Sequence, residues 1–574
     1  MAKLAILLYE EAPEREQVLL ARTLDFFGVP WKMLALSTFS EGAAVEEDSV
    51  VFGSAACIAD ALEHEGTIKR CLKRSTVFYS YSDPDRAAAQ QGIRSLLGSS
   101  CVKLHDATDG IVRVEVSSGS GAHAGPMAGI RASLHMRTED ASLVGLEKLE
   151  AKAEAIISAD GSPIYVRFWK ANIAIYLCLS SYIVDIDEEV GAGFYDIKAH
   201  FCSVVPLVSF IKFMFREVAW QPQELGACLI IDDPLLKTRY GACDFRLLRN
   251  LMQQYGFTTN IAFIPWNWWR TSRSARELFG SGSGSFSISI HGCDHTNSEF
   301  GDSSPVVLGS RAKLAQIRMT QHEARTGIHH DPVMVFPQGA FSSKCPKILK
   351  HSGFIAAVNT EISPVDRNAG STRIRDVWDI AIMKYGGFPL FTRRYAHHGL
   401  ENFTFDLLLG KPCLIVAHHE FFRDDSIALI QLIQALQNQT SALRWAPLGT
   451  LLRRACRRRV TASDTEEVEM YGLELQLDNT SNRPIHVNIG RRETDPKSIA
   501  QIQYDGTPIP WNIVSSSCTF EVKVDPLGTH EFHIHYQELP NAEMTVQSIL
   551  FKSRVFTRRL LSELRDAHIG ARRI

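Results

Sequence analysis

At 574 residues the chain exceeds what a single hydrophobic core organises, so roughly two to four domains are expected. Apolar residues make up 45% and charged residues 22%, a globular composition that excludes a disordered or low-complexity polymer. Sixty-one basic residues against 64 acidic ones give a formal net charge of -3, so no global basic excess points to nucleic acid.

The N-terminus, MAKLAILLYEEAPER, closes a short apolar run with acids, where an export signal would have a basic flank, a longer apolar core and a small-residue cleavage site. It reads as a first strand. The first hundred residues alternate apolar runs (KLAILLY, WKMLAL, SVVFGS, STVFYSY) with helix-length stretches such as EREQVLLARTLDFFG. That texture predicts a Rossmann- or flavodoxin-like α/β domain, although neither GxGxxG nor a phosphate loop comes after the first strand. From about 113 hairpin signals take over, in AEAIIS, ADGSP, IYVRFW and IAIYLCLS, and residues 1–200 are assigned to an N-terminal α/β domain with a β extension.

The segment FCSVVPLVSFIKFMF, with Pro206 and Lys212 inside it, falls short of the ~20 apolar residues of a membrane span, so no transmembrane segment is expected. Twelve cysteines lie scattered without a CxxC pair and read as reduced thiols of a cytoplasmic protein.

A second α/β region, 221–455, carries the chemistry. FGSGSGS at 279–285 lacks a phosphate-loop lysine and reads as a flexible connection. Beyond LLRRACRRR, alternation in LELQLDN, IHVNIG, TFEVKV and HEFHIHY predicts a C-terminal β-sandwich, which together with the basic amphipathic helix SRVFTRRLLSELRDAHIGARRI spans 462–574.

Within the middle region ACLII runs into adjacent acids, Asp232 and Asp233. Two carboxylates at the end of a buried strand repel one another and cost desolvation, so they require a cationic partner. Downstream, FSISIHGCDHTNSEF ends its strand in His291, with His295 four residues on. Two neutral imidazoles and one carboxylate form a catalytic zinc set with a position left for water. Asp233 is the candidate carboxylate and Asp232 the candidate base beside it. Two more motifs sit at strand ends: PVMVFPQGAF brings Pro337 and Gly339 to the end of VMVF, and KPCLIVAHHEFF brings His418 to the end of LIVA. Functional groups in parallel sheets collect at these carboxyl ends.

On these motifs, in this order, the chain resembles the polysaccharide deacetylase superfamily, the NodB-homology or carbohydrate esterase family 4 group, as a divergent member with extra N- and C-terminal domains. The resemblance implies a distorted (β/α) barrel over 221–455 that hydrolyses N- or O-acetyl groups on a glycan with a divalent metal, zinc being the expected ion. It assigns Asp233, His291 and His295 to the metal, Asp232 to the base, His418 to the acid that protonates the leaving group, and a backbone N–H near Gln338 to the oxyanion. His419 competes with His418 for that place, since adjacent strand residues face opposite ways.

The chain departs from the family at Val335, where an arginine usually steadies the base, at Gln338 in place of an aromatic, and at Pro234 in place of glycine. Asp376 or Asp379 of RDVWDI is the candidate for the acid that orients the catalytic histidine. Trp266, Trp268 and Trp269 are candidates for stacking on sugar rings or for rim packing. His533 and His535 read as the outward face of an ordinary strand, and the pairs His329–His330 and His397–His398 receive no role. The competing reading is a catalytically silent carbohydrate-binding or assembly protein on the same barrel. Another metal hydrolase of the same barrel is a further alternative.

Overall fold

The computed structural model describes residues 3–571 except 42–47, 83–85, 98–101, 105–110, 136–143, 147–152, 181, 192, 281–285, 303, 367–369, 423–425, 463–464 and 538–548. Most of the expected connection at 279–285 therefore lies outside the described residues.

The middle region is a nearly closed, all-parallel barrel of eight strands: β1 (Leu225–Asp232), β2 (Thr259–Phe263), β3 (Ser287–His291), β4 (Val333–Val335), β5 (Ala356–Asn359), β6 (Leu390–Thr392), β7 (Arg394–Tyr395) and β8 (Cys413–Ala417). Their order around the sheet is β6-β5-β4-β3-β2-β1-β8-β7, with each neighbouring pair parallel. Strands such as LGACLIID and CLIVA are buried on both faces, which is why they read as continuous apolar runs and not as alternation. The helices between them stop where their capping residues dictate. Asp244 caps Phe245–Tyr255 through the N–H groups of Arg246 and Leu247, and Gly256 ends it at φ +65°.

The barrel closes at one residue. Thr392 still pairs with Asn359 of β5, the Arg393 N–H donates to the Asn359 carbonyl at 2.9 Å, and Arg394 already pairs with Ile415 of β8. Because successive side chains of an extended strand face opposite ways, the two arginines at this seam diverge. Arg393 turns inward, and Arg394 turns outward to Asp406 of the helix Leu400–Leu409, at 2.6 and 3.1 Å.

Ahead of the barrel, a nine-stranded sheet begins with five parallel strands in the spatial order Trp31–Ala35, Leu4–Tyr9, Ser49–Ser54, Val77–Tyr81, Ile173–Cys178. It continues antiparallel through Ser162–Lys170, Glu154–Ala159, Ile111–Val116 and Arg131–His135, so the hairpin texture extends the same sheet. One apolar core runs from this sheet through the barrel to Leu473. The helical run after it begins earlier than the sequence suggested. With the turn Ile197–His200 it reaches 18 residues, Ile197–Met214, which by length and composition alone is apolar enough to cross a membrane but is mostly buried, so that no clear transmembrane segment is seen among the described residues. Some 72% of that run is buried inside the protein, with Phe210 against Phe52 and Tyr79.

Five strands after the barrel join Gln221–Pro222, just ahead of it, in a six-stranded sheet that faces a four-stranded one across a core of their own. The first includes Cys456–Ala462, whose first residues are the second half of the arginine-rich stretch. A buried polar junction ties this region to the barrel. Glu493 accepts from Lys350 Nζ at 2.6 Å and Arg491 Nη1 at 2.9 Å, and Arg491 Nη2 donates to the Gly387 carbonyl at 2.6 Å.

Burial pushes the Glu493 carboxyl upward, but Arg491 and Lys350 outweigh it and hold it below the usual range. Its stabilisation is therefore complete above the ordinary glutamate value of about 4.3 and is lost as pH falls through the lower folded value. Glu493→Ala leaves two buried cations uncompensated, and urea denaturation at neutral pH should show a loss of roughly 3–5 kcal/mol. A loss under about 1 kcal/mol, the worth of an exposed ion pair, would show that the junction does not hold the two regions together.

Candidate metal centre

Three side chains meet at the carboxyl end of the barrel. Asp232 is the last residue of β1, and Asp233 comes next with φ +72°, a left-handed turn that swings its carboxylate toward β3. There Asp233 Oδ1 lies 3.0 Å from His291 Nε2 and 2.8 Å from His295 Nε2 and has no other partner among the described residues. His291, 1% exposed, ends β3, and its Nδ1 lies 3.0 Å from the Val335 carbonyl. A carbonyl can only accept, so Nδ1 carries a proton, and Nε2 is the ring atom turned to Asp233 and the site.

His295 is placed by a loop built around one carboxylate. Glu299, 2% exposed, accepts from the backbone N–H groups of Cys293 (2.7 Å), Asp294 (3.1 Å), His295 (3.2 Å) and Thr296 (3.3 Å). His295 itself has φ +54° and Gln338, in the facing turn, φ +57°. With Asp233, three site residues hold left-handed backbone at about 1 kcal/mol each, the signature of a constrained functional site. Arg318 braces the same loop from the long helix Pro305–Thr326, donating to Asp294 at 2.7 Å.

Asp232 is 4% exposed and sits in a bidentate pair with Arg393, Nη1 to Oδ1 at 2.6 Å and Nη2 to Oδ2 at 2.7 Å. Burial raises its pKa, but Arg393 and then His291 outweigh burial and hold the carboxyl below its ordinary value. Burial likewise opposes ionisation of Asp233, and the two histidines hold it well below the usual range. His291 is pulled down by burial and raised further by Asp232 and Asp233, with a net upward shift. Where the resemblance expects an arginine at Val335, Asp232 instead meets a guanidinium from the seam between β6 and β7. Sequence reasoning missed it, and the trace it left was a charged pair, Arg393–Arg394, inside an otherwise apolar strand end.

These groups line a cavity of about 560 Å³ that His418, Gln338, Glu361 and Tyr395 also border. His418, exposed, stands directly after β8. The side chain of His419 lies outside the described residues. Neither Asp376 nor Asp379 lines the cavity, which corrects their candidacy for orienting the histidine. Asp376 caps its own helix at the Arg373 N–H (2.9 Å), and Asp379 is buried against Tyr471 and Arg492. The three tryptophans do not line it either, and Trp266 packs on Phe556 of the C-terminal helix Ile549–Ala571 at 6.2 Å. His329 and His330 both bind Glu323, at 2.6 and 2.8 Å. Among the described residues, Asp233, His291 and His295 are the one cluster whose ligand atoms converge within 4.8 Å. Two imidazole nitrogens, one fixed by a backbone carbonyl, and an otherwise unpartnered carboxylate oxygen fit a divalent cation such as zinc.

A Cβ at Gly292 (φ +62°) would lie 2.0 Å from Glu299 Oε1 and 2.4 Å from Pro337 Cγ. Gly292→Ala is therefore expected to break the Glu299 cage, displace His295 and weaken zinc affinity at least tenfold, read by competition with a chromogenic chelator. Unchanged affinity would show that the cage does not position the ligand.

No family model matches the chain, and no curated protein matches it in sequence. Solved structures do match. Agd3, described as a novel carbohydrate deacetylase, aligns with a TM-score of 0.51 at 10% identity, covering 94% of this chain and 99% of that one. A family 4 carbohydrate esterase from Streptomyces lividans, solved with acetate, aligns at 13% identity and a TM-score of 0.24, covering 39% of this chain and 92% of its own. The Xyl-CE4 domain of a multidomain xylanase, from the hindgut metagenome of Trinervitermes trinervoides, aligns at 13% identity and a TM-score of 0.24, covering 40% of this chain and 89% of its own. In fold, over nearly its whole length, the chain is similar to a protein described as a carbohydrate deacetylase.

Proposed function

We propose that the protein is a metal-dependent hydrolase that removes N- or O-acetyl groups from a polysaccharide or a sugar-containing intermediate. The observation that carries this reading is the convergence of Asp233, His291 and His295 beside an ionised, arginine-clamped Asp232 in one open cavity. The solved relative named for carbohydrate deacetylation supports it at the level of fold.

Asp233, His291 and His295 would hold a divalent cation, whose chemistry is to acidify water and polarise an acyl carbonyl. Asp232 takes the proton of the attacking water, and Arg393 fixes the orientation of that carboxylate and keeps it ionised to do so. Arg393 also makes the silent-protein reading less economical, because a bidentate partner for the base is retained where a binding protein has no use for one. The Gln338 turn faces the same cavity and offers backbone N–H to the tetrahedral oxyanion. His418 at the rim returns a proton to the leaving amine or alkoxide, and acetate departs. The eleven described cysteines, all buried and unbridged, fit a reducing, cytoplasmic setting.

Asp233→Ala, His291→Ala and His295→Ala should each lose bound zinc by elemental analysis, whereas Asp232→Asn should keep it and lose at least roughly a hundredfold in acetate release from acetylated oligosaccharides. Full activity in Asp232→Asn would remove the base from the mechanism. Arg393 lowers the pKa of Asp232, so Arg393→Met should move the acid limb of the pH–kcat/KM profile upward. A profile that loses height without moving would assign Arg393 to positioning alone.

A further inference from the structure

The C-terminal helix does more than cover apolar surface. It lies against the mouth of the barrel, where Arg270 pairs with Glu563 (Nη2 to Oε2, 2.8 Å), Phe556 meets Trp266, and Val555 is 3% exposed. Arg558, Arg559 and Leu561 thereby enter the wall of the cavity that holds Asp232 and the metal ligands.

Arg559 is 3% exposed, yet its Nε and Nη2 are buried without a hydrogen-bond partner among the described residues. These two nitrogens form one edge of the guanidinium, the edge that takes both oxygens of a carboxylate side by side. A long cationic side chain ordinarily runs its head out to water, and a buried unpaired one carries a desolvation cost. The acids that line the cavity do not relieve it. Asp232 is held by Arg393, Asp233 faces the two histidines, and Glu361 is exposed. Three acids (Asp232, Asp233, Glu361) and three arginines (Arg393, Arg558, Arg559) line the cavity, so a divalent cation leaves it with positive charge in excess.

Resting on the reading of this cavity as a saccharide site, we propose that Arg559 recognises a carboxylate carried by the saccharide, so that the substrate is an acidic, uronate-bearing glycan. The same carboxylate chemistry could come from released acetate, and the experiment separates the two sources.

The full chain as purified is titrated by calorimetry with trigalacturonate, with the neutral trisaccharide maltotriose and with acetate, and each titration is repeated with Arg559→Gln and Arg559→Lys. Trigalacturonate is expected to bind at least roughly tenfold more tightly than maltotriose, as a charge-assisted bidentate pair allows. Arg559→Gln is expected to abolish that preference, and Arg559→Lys, which keeps the charge but loses the planar fork, to restore part of it. Zinc content and circular dichroism equal to wild type show that the variants are folded and loaded. Equal affinity for the two trisaccharides, an unchanged preference in Arg559→Gln, or binding of acetate without a preference for the uronate would each overturn the proposal. Binding is read without turnover, so failure to release acetate from any acetylated glycan, with the uronate preference intact, would count against the deacetylase reading alone.

Discussion

The bidentate pair between Arg393 and Asp232 is the constraint on which the rest of the site depends. It joins the first strand of the barrel to the residue at which the barrel closes, 161 positions later in the chain. A buried carboxylate beside a second carboxylate is untenable without a cation, and a guanidinium satisfies both oxygens at once. The outward neighbour, Arg394, meets Asp406 on the opposite face of the same strand, so the seam is pinned from inside and outside. Closure of the barrel and ionisation of the candidate base are therefore one structural event.

Around that pair the protein repeats one solution to buried charge: each acid receives several donors and each cation a planar partner. Glu299 gathers backbone N–H groups, Glu493 gathers Lys350 and Arg491, and Asp379 gathers Tyr471 and Arg492. Set against this pattern, the guanidinium edge of Arg559, two nitrogens without a partner among the described residues, lies in the same cavity as Oδ1 of Asp233.

Much of the barrel and of its candidate site was legible in the sequence because strands buried on both faces betray themselves as apolar runs, and the residue after each run lands at one end of the barrel. Asp232, Asp233, His291, Pro337 and His418 are all found by that rule. The parts that escaped depended on distant pairing. Arg393 acquires its meaning only when the seam forms, and Glu299 only when four amides of its loop turn toward it. Asp379 could not be placed from RDVWDI alone, because its partners Tyr471 and Arg492 come from the C-terminal region. The amphipathic terminal helix announced that one face would be buried but could not say against what, since periodicity encodes a face and not its partner.

The left-handed backbone at Asp233, His295 and Gln338 has a kinetic meaning. Candidate ligands placed by folding, with the loop of His295 held by the Glu299 cage, would owe little ordering entropy to an arriving ion. Were a divalent ion held there, its capture would be governed by the stripping of its own water, and the Glu299 cage would oppose a release that begins with the loop carrying His295 away.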